Sequence, residues 1–164
     1  MTRRIAVDGM FLTLAIVVSY IEVLLPIPIG IPGVKIGLAN GVIMVLLFFT
    51  GWKRALFISV LRILLAGMLF GNPMTIVYSL AGGILSIFLM ALLKKAGGFS
   101  AVGLSVAGGV AHNLGQLSVA VCLMENVRIY YYTPILLVTG TIAGIAIGVL
   151  TAGLVKKVPA NLFQ

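Results

Sequence analysis

Long apolar runs broken by short polar or glycine- and proline-rich punctuation make up nearly all of this chain. The runs occupy about 8–25, 36–50, 54–70, 74–93, 100–124 and 134–155. A helix needs about 20 mainly apolar residues, rising 1.5 Å each, to cross a hydrocarbon core about 30 Å thick, and in lipid its backbone groups must be satisfied internally. Six such segments with short connections nearly exhaust the 164 residues. The pattern therefore predicts an all-α, six-transmembrane-helix bundle in one integral membrane domain, 1–164. The second and third runs are short, which predicts tilted, broken or partly inserted segments. A membrane barrel would show alternating segments of about ten residues instead of unbroken runs of Leu, Ile, Gly and Ala.

The breaks between runs orient the bundle. Arg3/Arg4, Lys53/Arg54, Lys94/Lys95 and Lys156/Lys157 fall on one side if six helices cross. The other side holds the loop from Pro26 to Lys35, the turn Gly71–Asn72–Pro73 and the segment from Glu125 to Thr133, with Lys35 and Arg128 as its cations. Positive residues favour the cytoplasmic side, so both termini are expected in the cytoplasm. Trp52 and the run Tyr130–Tyr131–Tyr132 suit the membrane interfaces. Retention of the first run as a helix, rather than its removal as a signal peptide, follows from the lack of a convincing cleavage site.

Composition strengthens this reading. The chain is 62% hydrophobic and 9% charged, with a mean hydropathy of +1.26, well beyond the roughly 45–50% apolar content of a soluble domain. The net charge of +8 comes from pairs between apolar runs, which is how membrane proteins are oriented, and is not read as a nucleic-acid surface. Twenty glycines are tolerated where helices approach closely. Gly82/Gly83, Gly108/Gly109 and the four-residue series Gly140, Gly144, Gly148 are candidate contacts. Between Leu25 and Lys35, Pro26, Pro28 and Pro32 interrupt any regular helix, giving either a cap over the bundle or a rigid connector.

Few residues remain for chemistry. Arg62 lies eight positions after Arg54, about 12 Å deeper along a helix and close to the middle of the core. A cation there must face the bundle interior or an aqueous cavity. It can hold an anionic or polar ligand, pair with Glu22 or helix-end carbonyls, or meet another subunit. His112 and Gln116 share one helix face, with Asn113 about 100° around. With Asn40 and Asn72 they form a candidate binding pocket, and Lys35 at its outer mouth is positioned to attract an anion. Helix-to-helix hydrogen bonding is the competing role for the amides. Asp8, Glu22 and Glu125 are the only acidic residues. Neither paired Asp-rich magnesium segments nor a GxxxxGK[ST] phosphate loop is present, so no catalytic residue, metal site or cofactor is expected, and no ATP-driven step by this chain alone. Cys122 is a single cysteine, read as an ordinary helix residue.

Four segments carry a resemblance: Pro32–Gly33–Val34–Lys35–Ile36–Gly37–Leu38–Ala39–Asn40, Leu69–Phe70–Gly71–Asn72–Pro73, Tyr78–Ser79–Leu80–Ala81–Gly82–Gly83 and Ala111–His112–Asn113–Leu114–Gly115–Gln116. Through them, and over almost the whole chain, the sequence resembles the Gx transporter family, also labelled component I of heptaprenyl diphosphate synthase. That family is similar to the substrate-binding S components of energy-coupling factor (ECF) transporters. The resemblance implies the S-component fold and a place in the cell membrane. It implies capture of a vitamin, an isoprenoid or quinone precursor, or a similar metabolite from outside. The partners it implies are a transmembrane coupling subunit and two cytoplasmic ATPases. S components dock through a small-xxx-small pattern on the first helix; the corresponding residues here are Ala6, Gly9, Met10 and Thr13, where Met10 breaks the pattern from Ala6, while Gly9 and Thr13 keep the spacing. Two other functions stay open: a non-catalytic membrane subunit of an isoprenoid synthase, and an autonomous transporter.

Overall fold

The computed structural model describes residues 2–24, 37–159 and 163. Lys35 and the whole proline-rich segment, Leu25 to Lys35, lie outside the described residues. Six α-helices follow one another: α1 Thr2–Leu24, α2 Leu38–Thr50, α3 Trp52–Phe70, α4 Pro73–Ala96, α5 Ala101–Met124 and α6 Thr133–Lys157. A 3-10 segment, Val127–Tyr132, joins α5 to α6. Among the described residues there is no strand.

Four helical stretches are long and apolar enough to cross a membrane: α1, α4, α5 and the stretch Val127–Lys157 that includes α6. The two short runs of the sequence are the ones that differ. With 13 residues, α2 rises about 20 Å. At 19 residues α3 has the length, but it carries Lys53, Arg54 and Arg62. The Lys53/Arg54 pair is not a loop at all. Gly51 alone separates α2 from α3, turning the chain at φ +85°, a region glycine enters without steric cost, and both basic residues fall in the first turn of α3. Helix α1 starts at Thr2, six residues before the expected limit.

The innermost helix is α2. Ala39, Gly41, Ile43, Met44, Val45, Leu46 and Leu47 are all buried, so apolar residues cover its whole circumference, as burial by other helices requires. Around it sit Val7, Phe11 and Ala15 of α1, Ala55 and Ile58 of α3, Ile87 and Met90 of α4, and Leu104 of α5. Phe163 closes this core, stacking on Phe49 with ring centroids 4.5 Å apart and tilting against Phe11 at 5.5 Å. The C-terminus of α2 is held from α4, where Lys94 Nζ donates to the carbonyls of Leu47 and Phe48, each at 2.9 Å. Orphan carbonyls at a helix end thus receive a cation.

Glycine sets the spacing of α4, α5 and α6. A Cβ added to Gly115 would lie 2.8 Å from Ala81 O and 2.9 Å from Gly82 Cα; one added to Gly109 would lie 2.7 Å from Gly140 O, and one at Gly144 2.6 Å from Val106 Cα. These are backbone-to-backbone approaches that any side chain would prevent.

Candidate functional site

A cavity of about 80 Å³ opens between α1, α2, α3, α4 and α5. Arg62 is its centre of charge. It is only 8% exposed, and α3 delivers it between α1 and α2: Nη1 donates to Ser19 Oγ at 3.1 Å and Nη2 donates to Asn40 Oδ1 at 3.3 Å. The Nε–H is buried without a hydrogen-bond partner among the described residues. A guanidinium has five donors in a fixed fork, and this one keeps part of that fork uncommitted beside a cavity.

Glu22 does not form the ion pair with Arg62 considered from the sequence. Among the described residues the only salt bridge joins Arg54 to Asp8, at 2.7 Å. Glu22 Oε1 instead accepts from the backbone N–H of Leu38 at 2.7 Å, at the N-terminus of α2, where a carboxylate meets unpaired backbone donors and the positive end of the helix dipole. Gly37, just before α2, has φ +82° and supplies no side-chain cap, which leaves this position to Glu22.

The structure brings five of the sequence-predicted residues together: Asn40, Arg62, His112, Asn113 and Gln116 all line the cavity. Close approach of α4 to α5 seats two of them, for a Cβ on Gly82 would meet His112 O at 2.7 Å and Gln116 Cγ at 3.0 Å. Asn113 is partly spent on packing, since its Nδ2 donates to Leu136 O of α6 at 2.8 Å. Asn72 is set apart. Its Oδ1 accepts from Thr75 N at 2.9 Å and from Thr75 Oγ1 at 3.1 Å, the geometry of a helix N-cap followed by Pro73. It lines an adjoining cleft with Tyr78, Ser79 and Gln116. Ser19, Thr75 and Ser79 were missed from the sequence. Ser19 had a legible signal, being three residues before Glu22 and so on the same face of α1.

A second, mainly apolar cavity of about 40 Å³ begins at Gly37 and Asn40 and runs between Met44, Met90, Gly108, Gly144 and Ile147. Gly37 and Asn40 line both the polar chamber and the apolar one. No group of three or more metal-ligating side chains occurs among the described residues.

One family model, described as heptaprenyl diphosphate synthase component I, matches residues 11–154. The chain belongs to the heptaprenyl diphosphate synthase component I family. No curated protein and no solved structure matches the chain. The matched stretch includes every described residue assigned above to the Arg62 cavity and leaves out Ala6 and Gly9, which precede residue 11.

Proposed function

We propose that this family member is the substrate-binding S component of an ECF-type importer. It sits in the cell membrane with both termini in the cytoplasm and takes a small metabolite from outside into the Arg62 cavity. A transmembrane coupling subunit and two cytoplasmic ATPases supply the energy. The observation that carries this reading is a buried guanidinium that lines a cavity and whose Nε–H has no hydrogen-bond partner among the described residues. A cation inside a membrane bundle is costly, and a ligand acceptor is the partner that would repay it. On α1, Ala6, Gly9 and Thr13 lie on the outside of the bundle, and a Cβ on Gly9 would meet nothing within 4 Å, so this face is open to a partner helix.

The family description favours a second reading, a non-catalytic membrane subunit of heptaprenyl diphosphate synthase. Gentle purification from native membranes separates the two. Copurification with a coupling subunit and ATPases, with uptake into vesicles that stops when ATP is withheld, is the expected result. Stoichiometric recovery of a prenyl synthase whose activity depends on this chain would replace the importer reading with the second one, and uptake that persists without partners would replace it with autonomous transport.

A further inference from the structure

The Arg62 cavity is lined by two opposite charges that attract each other but are not joined by a direct salt bridge. Glu22 and Arg62 both face it, yet they form no salt bridge. Each is half-committed to the protein. Arg62 gives two donors to Ser19 and Asn40 and keeps Nε–H, while Glu22 uses Oε1 on Leu38 N and has no hydrogen bond at its second oxygen among the described residues. Glu22 follows Ser19 by three residues on α1, so its carboxylate stands about one turn, roughly 5 Å, along the helix from the hydroxyl that Arg62 holds.

This arrangement selects against simple ions. A lone anion on Arg62 meets Glu22 as a like charge, and a lone cation on Glu22 meets Arg62. A diphosphate calls for several cations, and Arg62 is the only one among the described lining residues. We propose that the cavity takes a small zwitterion, its carboxylate on Arg62 and its ammonium group on Glu22. The inference rests on reading this cavity as the substrate site and narrows its substrate class. Size limits the ligand to a small one: the cavity of about 80 Å³ is the liquid volume of about three waters at about 30 Å³ each. The apolar cavity beyond Asn40 offers a short side chain a place among Met44, Met90 and Ile147.

The test uses the full chain in lipid nanodiscs with radiolabelled L-alanine, and glycine, glycine betaine, propionate, n-propylamine and pyrophosphate as competitors. Saturable L-alanine binding is expected, with propionate and n-propylamine at least tenfold weaker competitors. Glu22→Gln should invert the order, so that propionate competes better than L-alanine. Because Glu22 also holds α2, Glu22→Asp serves as the second variant and should keep the wild-type order. Propionate or pyrophosphate binding the wild type as tightly as L-alanine overturns the proposal, as does binding of no zwitterion in the panel. ATP-dependent uptake of a different metabolite by the copurified complex would remove the zwitterion and leave the importer standing. L-alanine binding with the inverted order but no ATPase partner would do the reverse.

Discussion

Arg62 is held too well to be an accident of composition and not well enough to be only a structural tie. Ser19 shows why. Its hydroxyl donates to Ala15 O at 2.8 Å while accepting from Arg62, so it stays satisfied if the guanidinium is removed, and Asn40 Oδ1 would face the cavity. Little in the fold therefore depends on the arginine, while its burial costs free energy that a shape-matched apolar residue would not. Arg62→Met is accordingly expected to leave stability unchanged within about 1 kcal/mol or to raise it, and to abolish substrate capture. Thermal unfolding in detergent, read beside uptake in vesicles, checks both halves. A lower melting temperature with uptake intact would make Arg62 a packing residue and defeat its assignment to the site. Asn113 is the contrasting case, an amide whose bond to Leu136 spends it on joining α5 to α6, so the competing role weighed for these amides is the one it partly fills.

At the scale of elements, close packing depends on which glycines have neighbours. Gly115 faces the backbone of α4 at 2.8 Å from a notional Cβ, whereas Gly9 has nothing within 4 Å. Backbone cannot swing aside as a flexible side chain can, so Gly115→Ala should destabilise the bundle by about 1–3 kcal/mol. Gly9→Ala should be neutral or stabilising by up to about 1 kcal/mol through helix propensity. Paired unfolding curves in one detergent decide this; equal effects would mean that α4 and α5 do not meet as described. The glycine pairs were legible because recurrence at helical spacing is a property of the chain itself, and the helix limits were legible because Asn72–Pro73, Gly97–Gly98 and Ser100 punctuate them. Other features were not. The break at Gly51 is one residue long, and nothing local distinguishes Lys53/Arg54 in a loop from the same pair in a first turn. Glu22 at the start of α2 joins residues 16 apart, and Lys94 reaches carbonyls 46 and 47 residues away. Such bonds depend on how helices come to lie beside one another, which local patterning does not encode. For the same reason five cavity residues could be read as polar positions in apolar runs, while the division of Asn113 and Asn72 toward structural duties could not.

For the whole molecule, α1 serves as a ruler for how deep α2 reaches. Leu38 opens α2 beside Glu22, and Arg54, just past the other end of α2, meets Asp8 at 2.7 Å and Arg4 O at 3.5 Å. Asp8 and Glu22 are fourteen residues apart on one helix, about 21 Å, which matches the rise of about 20 Å along α2. Short as it is, α2 thus descends from the level of Glu22 to the level of the N-terminal basic residues and does not turn back midway. Helix α3 then returns over about 28 Å, so the two helices run alongside α1, although α2 is too short and α3 too charged to be an independent span. Of the three cations of α3, Lys53 is exposed, Arg54 pairs with Asp8 in a partly exposed salt bridge and Arg62 is buried at the cavity, facing the bundle as a cation at that depth must. The proposed orientation, with both termini in the cytoplasm, predicts the side on which Gly51 turns. In a Cys122→Ser background, Lys53→Cys should react with a membrane-impermeant maleimide only after the cytoplasmic face is opened, and Asn126→Cys should react from outside in intact cells. Labelling of Lys53→Cys from outside would reverse the orientation. Protection of Lys53→Cys on both faces would mean that α2 and α3 stop within the bilayer as a re-entrant pair, leaving four crossing helices and the Arg62 cavity reached from a different depth.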